Sequence, residues 1–283
     1  RDIMTFATGL KQNTFFRLNK DRLLFIDGRV KGRVNNLDGE ELSIALEDNS
    51  FVMEGSFRSR DLTIRQSETL NLDLSKLKTS MNTLRQLIPN FAPPPNFDRL
   101  GQLNFKGRFD GYFSDFVAYG ELASSLGRAR MDMRMNLKQG RAKANYSGKL
   151  TLSNFDLGGW SQNSDFGLVT FTSAVSDGYG LTAETAQAAL TAEVQSFVFK
   201  GYNYQNASLT GELKKNLFSG QFAIQDDNID FSFLGKVDFT DTIPTFDFNA
   251  QVSKLALNKL NLAEQDIALS GGNTRPHNLI PVA

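Results

Sequence analysis

The chain of 283 residues contains no cysteine and a single histidine, His277, close to its C-terminal end. Disulfides, cysteine nucleophiles and cysteine metal sites are thereby excluded. One isolated histidine also excludes a Ser-His-Asp triad or a histidine zinc site in the body of the chain. The lack of thiols fits an oxidising compartment, although chance or engineered removal would leave the same trace. No apolar run reaches the ~18 residues that a membrane-spanning helix needs. Net charge is missing too: 31 basic residues face 31 acidic ones, so no field draws nucleic acid or an anionic surface. No glycine-rich phosphate loop is present, because Gly28, Gly32 and Gly55 stand among strand-like residues with no helix start behind them. Paired carboxylates for glycosidic chemistry do not stand out either. No catalytic residue, metal or cofactor is expected, and the protein reads as a non-enzyme.

What is present is phenylalanine, 24 copies against one tryptophan and six tyrosines, mostly in alternating patterns. Within that alternation one cell recurs: apolar, any residue, glycine, polar, apolar. It appears as Val30-Lys31-Gly32-Arg33-Val34, Met53-Glu54-Gly55-Ser56-Phe57, Phe105-Lys106-Gly107-Arg108-Phe109 and Ala118-Tyr119-Gly120-Glu121-Leu122. It returns around Gly148 (Tyr146, Leu150), Gly211 (Leu209, Leu213), Gly220 (Phe218, Phe222) and Gly235 (Phe233, Val237). In a strand, side chains alternate with period two, so the apolar pair and the glycine share one face. A strand glycine marks a bend, a bulge or the close approach of something else. The repeat therefore predicts a sheet curved around an apolar interior, with the glycines leaving clearance in it.

Strand-like alternation continues through Leu70-Asn71-Leu72-Asp73-Leu74, Met131-Asp132-Met133-Arg134-Met135, Phe231-Ser232-Phe233 and Phe246-Asp247-Phe248. Turn signals are read at Asp38-Gly39, Asp48-Asn49-Ser50, Gln139-Gly140, Asp177-Gly178 and Asp226-Asp227-Asn228. The last resembles half a calcium loop without its glycine and glutamate, and a solvated hairpin turn is the simpler reading. Helical spacing occurs over residues 79–88, where Met81, Leu84, Leu87 and Ile88 share a face, Thr79 or Ser80 can cap and Pro89 stops the helix. A weaker helical pattern covers 183–191. The proline cluster from Pro89 to Pro95 reads as a stiff connector. The expected organisation is a first sheet segment at 1–78, helix and connector at 79–96, a second segment at 97–270 continuing the same groove, and a disordered tail or expression remnant at 271–283. If two-thirds of the chain is strand, about 20 strands at ~4.8 Å spacing are expected. A closed barrel or sandwich and an open trough both satisfy this pattern.

Specific residues then match a family. Tyr146-Ser147-Gly148-Lys149-Leu150 leading to Asn154-Phe155-Asp156-Leu157-Gly158 resembles the TamB family, the translocation and assembly module related to AsmA-like proteins. So does the succession of Gly201-Tyr202-Asn203-Tyr204, Asn206, Gly211, Phe218-Ser219-Gly220 and Asp226-Asp227-Asn228. It ends with Leu257-Asn258-Lys259-Leu260-Asn261-Leu262. The order of these cells over residues 23–270 is most similar to long TamB-like proteins of Bacteroidota-type bacteria.

That resemblance implies an all-β fold: an elongated, curled antiparallel sheet, a β-taco with an open hydrophobic groove, here with one short helix. It implies a periplasmic protein held by an N-terminal inner-membrane anchor outside this stretch, since Arg1 is no natural start and no signal peptide is visible. It also implies an outer-membrane barrel insertase as partner, and a role in outer-membrane biogenesis and phospholipid movement. The expected lipid-binding wall is Val30, Val34, Met53, Phe57, Phe105, Phe109, Leu122, Tyr146, Leu150, Leu209, Leu213, Phe218, Phe222, Phe233 and Val237. The expected clearance is at Gly32, Gly55, Gly107, Gly120, Gly148, Gly211, Gly220 and Gly235. A platform for β-barrel assembly by strand augmentation is the alternative, and a structural β-solenoid a further one. No nucleic-acid partner is expected.

Overall fold

A computed structural model describes residues 22–33, 35–60, 69–87, 93–112, 114–241 and 243–264, with the backbone of Ala268–Thr274. Val34, Ile88 and Pro89 lie outside the described residues. The architecture is all-β: a 15-stranded open antiparallel sheet in which hydrogen-bonded neighbours follow chain order. No pairing closes it into a barrel among the described residues. Among the described residues fewer strands form than the expected number because most are long, from 7 residues in β15 to 14 in β9.

The chain divides into two compact units. The first spans Arg1–Tyr112 and Ala118–Arg128. It holds β1 (Leu24–Arg33), β2 (Asn36–Leu46), β3 (Val52–Arg60), β4 (Thr69–Ser80), α1 (Met81–Leu87), β5 (Gln102–Tyr112) and most of β6 (Asp115–Ser124). The second holds most of β7 (Gly127–Asn136), then β8 (Asn145–Asp156), α2 (Leu157–Ser161), β9 (Phe166–Tyr179) and β10 (Gln187–Phe199). It continues with β11 (Tyr202–Lys214), β12 (Leu217–Gln225), β13 (Ile229–Asp238), β14 (Thr245–Ala256) and β15 (Ala268–Thr274). The helix and connector therefore lie inside the first unit, and β4 pairs directly with β5 across them.

Several local readings are revised. Asp38-Gly39 and Asp177-Gly178 are strand positions within β2 and β9, not turns. At both, the glycine is the seat of a neighbour's ring: Phe57 lies over Gly39 and Tyr146 over Gly178. Residues 183–191 are not helical. They form a turn, with Ala186 N–H donating to Thr182 O at 2.8 Å, and then enter β10. Gly271 to Thr274, assigned by sequence to the tail, belong to β15 and pair with β14. The second short helix, α2, starts where Asp156 accepts from Gly159 N–H at 2.9 Å. The turn at Asp48-Asn49-Ser50 forms as read, with Ser50 N–H donating to Asp48 at 2.9 Å.

Outward side chains of the first unit form cross-strand ion pairs: Arg108–Asp73 at 2.7 Å, Lys76–Glu54 at 2.8 Å, and Arg58 and Arg60 on Asp38 at 3.3 and 2.9 Å. The Arg60 hydrogen bond, helped by both arginine charges, holds the Asp38 carboxyl below the usual carboxylate range. All these groups are substantially exposed and screened by water, so each pair adds little to stability. Opposite charges thus face each other across neighbouring strands, in keeping with the register.

At the start of α1, Ser80 Oγ accepts from Thr83 N–H at 3.1 Å. Replacing Ser80 with alanine should cost about 1 kcal/mol, as loss of a helix N-cap does. Chemical denaturation followed by circular dichroism measures it, and an unchanged midpoint would show that the cap is idle.

Candidate functional site: an apolar sheet face

Because every strand pairs with its sequence neighbours, the period-two alternation is stacked into rows running from strand to strand. In the second unit one row reads Gly148, Val175, Leu190, Gly211, Gly220, Gly235, Phe248 from β8 to β14. The next reads Leu150, Ser173, Ala192, Leu209, Phe222, Phe233, Ala250, and the one beyond Leu152, Phe171, Val194, Ala207, Ile224, Phe231, Val252. On the other flank lie Ala188, Leu213, Phe218, Val237 and Phe246. No charged residue occurs in any of these rows. The opposite face carries rows such as Glu212, Ser219, Lys236, Asp247.

The same arrangement holds within the first unit. Ile26, Ile44, Met53, Leu77 and Phe105 form one row, and Val30, Gly39, Phe57, Leu72 and Phe109 another. Between them run Leu42, Gly55, Leu74 and Gly107. Leu122 is half-buried two residues beyond Gly120 on β6, and Val30, on the edge strand, is exposed. Apart from Tyr146 and Leu122, each described residue of the expected lipid wall falls in one of these apolar rows of its own unit.

The face is incompletely covered. Phe218, Ile224, Val237, Ala188 and Ala207 are buried, but Leu190, Leu209, Phe222, Phe233 and Phe248 are only half-buried and Phe246 is 62% exposed. A sandwich core would bury every member, because protein interiors pack to crystal density. Between β12 and β14 the rings surround an apolar cleft of about 330 Å³ lined by Phe222, Phe231, Phe233, Val237, Phe246 and Phe248. Phe222 and Phe233 stack at 5.8 Å, and Phe233 meets Phe248 at 5.7 Å. Phe231, Phe246 and Phe248 were not among the expected wall residues. Their signal was the plain alternation of Phe231-Ser232-Phe233 and Phe246-Asp247-Phe248, which needs no glycine. A larger recess of about 490 Å³ in the first unit is lined by Asp38, Arg58, Asp73 and Arg108. Within it Arg58 pairs with Asp38 and Arg108 with Asp73.

The glycines do not leave clearance. A Cβ at Gly211 would lie 2.6 Å from Phe218 Cζ, 2.6 Å from Ser219 O and 2.8 Å from Gly220 Cα. At Gly120 it would lie 2.5 Å from the Phe105 ring and 2.6 Å from Lys106 O, and Gly107 is likewise beneath Phe105. Gly220 shares the Phe218 ring, while Gly235 faces Phe248. At Gly32, Gly55 and Gly148 the obstruction is backbone of the neighbouring strand. Adjacent backbones approach closely on this face, and rings fold over the bare Cα atoms. The expected empty space is filled by the neighbours that the glycines admit.

Polar groups gather at one end of the face. Tyr202 OH donates to Asp226 Oδ1 at 2.8 Å and accepts from Asn228 Nδ2 at 3.1 Å. Asp226 Oδ1 also accepts from the N–H of Asn228 and Ile229, so the acidic run is a hairpin turn whose leading carboxylate is engaged internally. Burial is the first cause raising the pKa of Tyr146, Tyr202 and Tyr204, which keeps these phenols neutral donors. No cluster of metal-binding side chains forms among the described residues.

The fold and this face define an open antiparallel sheet with one polar and one uncharged apolar side. No protein-family model, curated protein or solved structure matches the chain.

Replacing Gly211 or Gly220 with alanine should lower stability by about 1–3 kcal/mol, the usual cost of overpacking. Trimming Phe218 to leucine in the same variant should recover only the part due to the ring, since the cross-strand carbonyl remains. Denaturant midpoints decide it, and a stabilised Gly211→Ala protein would mean that the space is empty after all.

Proposed function

We propose that the protein is a periplasmic hydrophobic-groove protein that supports outer-membrane biogenesis by conducting phospholipid between the inner and outer membranes. The observation that carries this reading is the uncharged apolar face from β8 to β14, left half-exposed although it includes phenylalanine after phenylalanine. Such a face in water is costly unless something apolar covers it, and each lipid methylene removed from water contributes ~0.8 kcal/mol. The register rows also repeat the same chemistry from strand to strand. A chemically uniform wall binds an acyl chain about equally at successive positions, so it holds lipid without a deep trap. The headgroup stays in water outside the face. An inner-membrane anchor and an outer-membrane barrel insertase, both implied by the TamB resemblance, belong to this proposal. No residue here supplies chemical catalysis in it.

One observation favours a second reading, a platform for β-barrel assembly. Every residue of β1 is exposed, and among the described residues β1 pairs with β2 alone. An unpaired strand edge is a template for augmentation by another strand.

The test is photocrosslinking from single sites in cells. A photoreactive residue at Phe222 or Phe233 should capture phospholipid, whereas the outward neighbours Gln221 and Leu234 should not, although Leu234 is 62% exposed. Equal labelling of both sets would sink the lipid-face assignment. Capture of unfolded barrel protein from β1 positions, without lipid at Phe233, would favour the platform.

A further inference from the structure

β14 and β15 are antiparallel neighbours, which a tight hairpin could join. The chain instead leaves β14 at Ala256 and folds residues 257–262 into a turn closed by its own backbone. Leu260 N–H donates to Ala256 O at 3.1 Å, Leu262 N–H to Leu257 O at 2.9 Å and Asn261 N–H to Asn258 O at 3.2 Å. This turn reaches back to β11. Tyr204 OH donates to Leu260 O at 3.3 Å, and Asn261 Nδ2 donates to Lys200 O, in the β10–β11 turn, at 2.8 Å. Connecting segments normally run exposed over a surface. Leu260 is 0% exposed.

What lies beneath is the end of the apolar face. Phe155, Val169, Phe197 and Tyr204 form a row near that end, paired across β8 to β11, with Phe166, Phe199 and Tyr202 beyond it, and the Phe197 and Tyr204 rings are 6.5 Å apart. The turn touches the sheet at Leu260 and Asn261, while its root is held firmly: Ala256 N–H donates to Asn228 O at 3.0 Å, beside the Tyr202–Asp226–Asn228 network. A segment with a fixed root and a tip held by one leucine and two hydrogen bonds has the mechanics of a lid. We propose that residues 257–262 are a lid on the apolar face of the second unit. Docked, it shields the Phe197–Tyr204 end through Leu260; an acyl chain that extends from the Phe222–Phe233 cleft under the lid displaces it. The inference rests on the reading of this face as a site for apolar ligand.

The absence of native cysteine makes single-cysteine labelling clean. Palmitate serves as the probe, Phe233→Cys reports occupancy of the cleft, and Leu260→Cys reports the lid. Without palmitate, Leu260→Cys should react with maleimide at least about tenfold more slowly than exposed Lys259→Cys, as a group reached only through local opening does. Palmitate should protect Phe233→Cys and speed labelling of Leu260→Cys several-fold. Asn261→Ala, which removes the tip's hydrogen bond to Lys200 O, should speed palmitate association.

Protection of Phe233→Cys with unchanged labelling at Leu260 and an unchanged association rate in Asn261→Ala would overturn the lid and leave the lipid face standing. No protection in either background would overturn both. Since Leu260→Cys itself removes bulk, hydrogen exchange on the unsubstituted chain provides the second measurement. Slow exchange at the Leu260 and Leu262 amides that accelerates with palmitate is expected. Fast exchange without palmitate means that the turn is not docked.

Discussion

Everything distinctive about this protein depends on the register between neighbouring strands. Backbone hydrogen bonds pair each strand with the next in antiparallel fashion, and side chains alternate with period two. Only the correct register places Leu209 beside Phe222 and Phe222 beside Phe233. A slip by one residue on any strand would push its phenylalanines into the row of Glu212, Ser219 and Lys236. The penalty for slipping is paid on both faces at once, which is why weak surface ion pairs suffice to reinforce the register in the first unit.

Glycine and phenylalanine act together within that constraint. A phenylalanine needs a place for its ring, and on a crowded sheet face the bare Cα of a glycine on its own or the neighbouring strand provides it. Phe218 uses Gly211 and Gly220, Phe105 uses Gly107 and Gly120, and Phe57 uses Gly39. Rings laid flat over glycines fill what would otherwise be gaps and let neighbouring backbones close in. The resulting surface is apolar and shaped by contacts within the sheet.

In the second unit the apolar face is continuous from β8 to β14. It repeats one uncharged kind of surface over successive strands. Where polar groups do occur, at Tyr202, Tyr204 and Asp226, they are tied to turns and to the segment that folds over the face. Shielding at one end and exposed rings at Phe246 make the two flanks of the face unequal, a polarity that the bare repeat does not have.

Much of this was legible in the residues themselves. Period-two alternation, local turn chemistry and the recurring glycine cell depend on neighbours along the chain, so the all-β class, the α1 helix with its Ser80 cap and the sidedness of the wall could be read from the sequence. What the glycines are for could not, because whether a bare Cα meets solvent, backbone or a ring depends on the strand beside it. For the same reason Asp38-Gly39 and Asp177-Gly178 looked like turns and are strand positions under Phe57 and Tyr146. Leu260 likewise reads as one more alternating residue, and only folding brings it onto Tyr204, 56 positions earlier in the chain. Sequence determined which side chains share a face, since that follows from local periodicity. Tertiary structure alone decided what each of them meets there, since that follows from pairing between residues far apart in the chain.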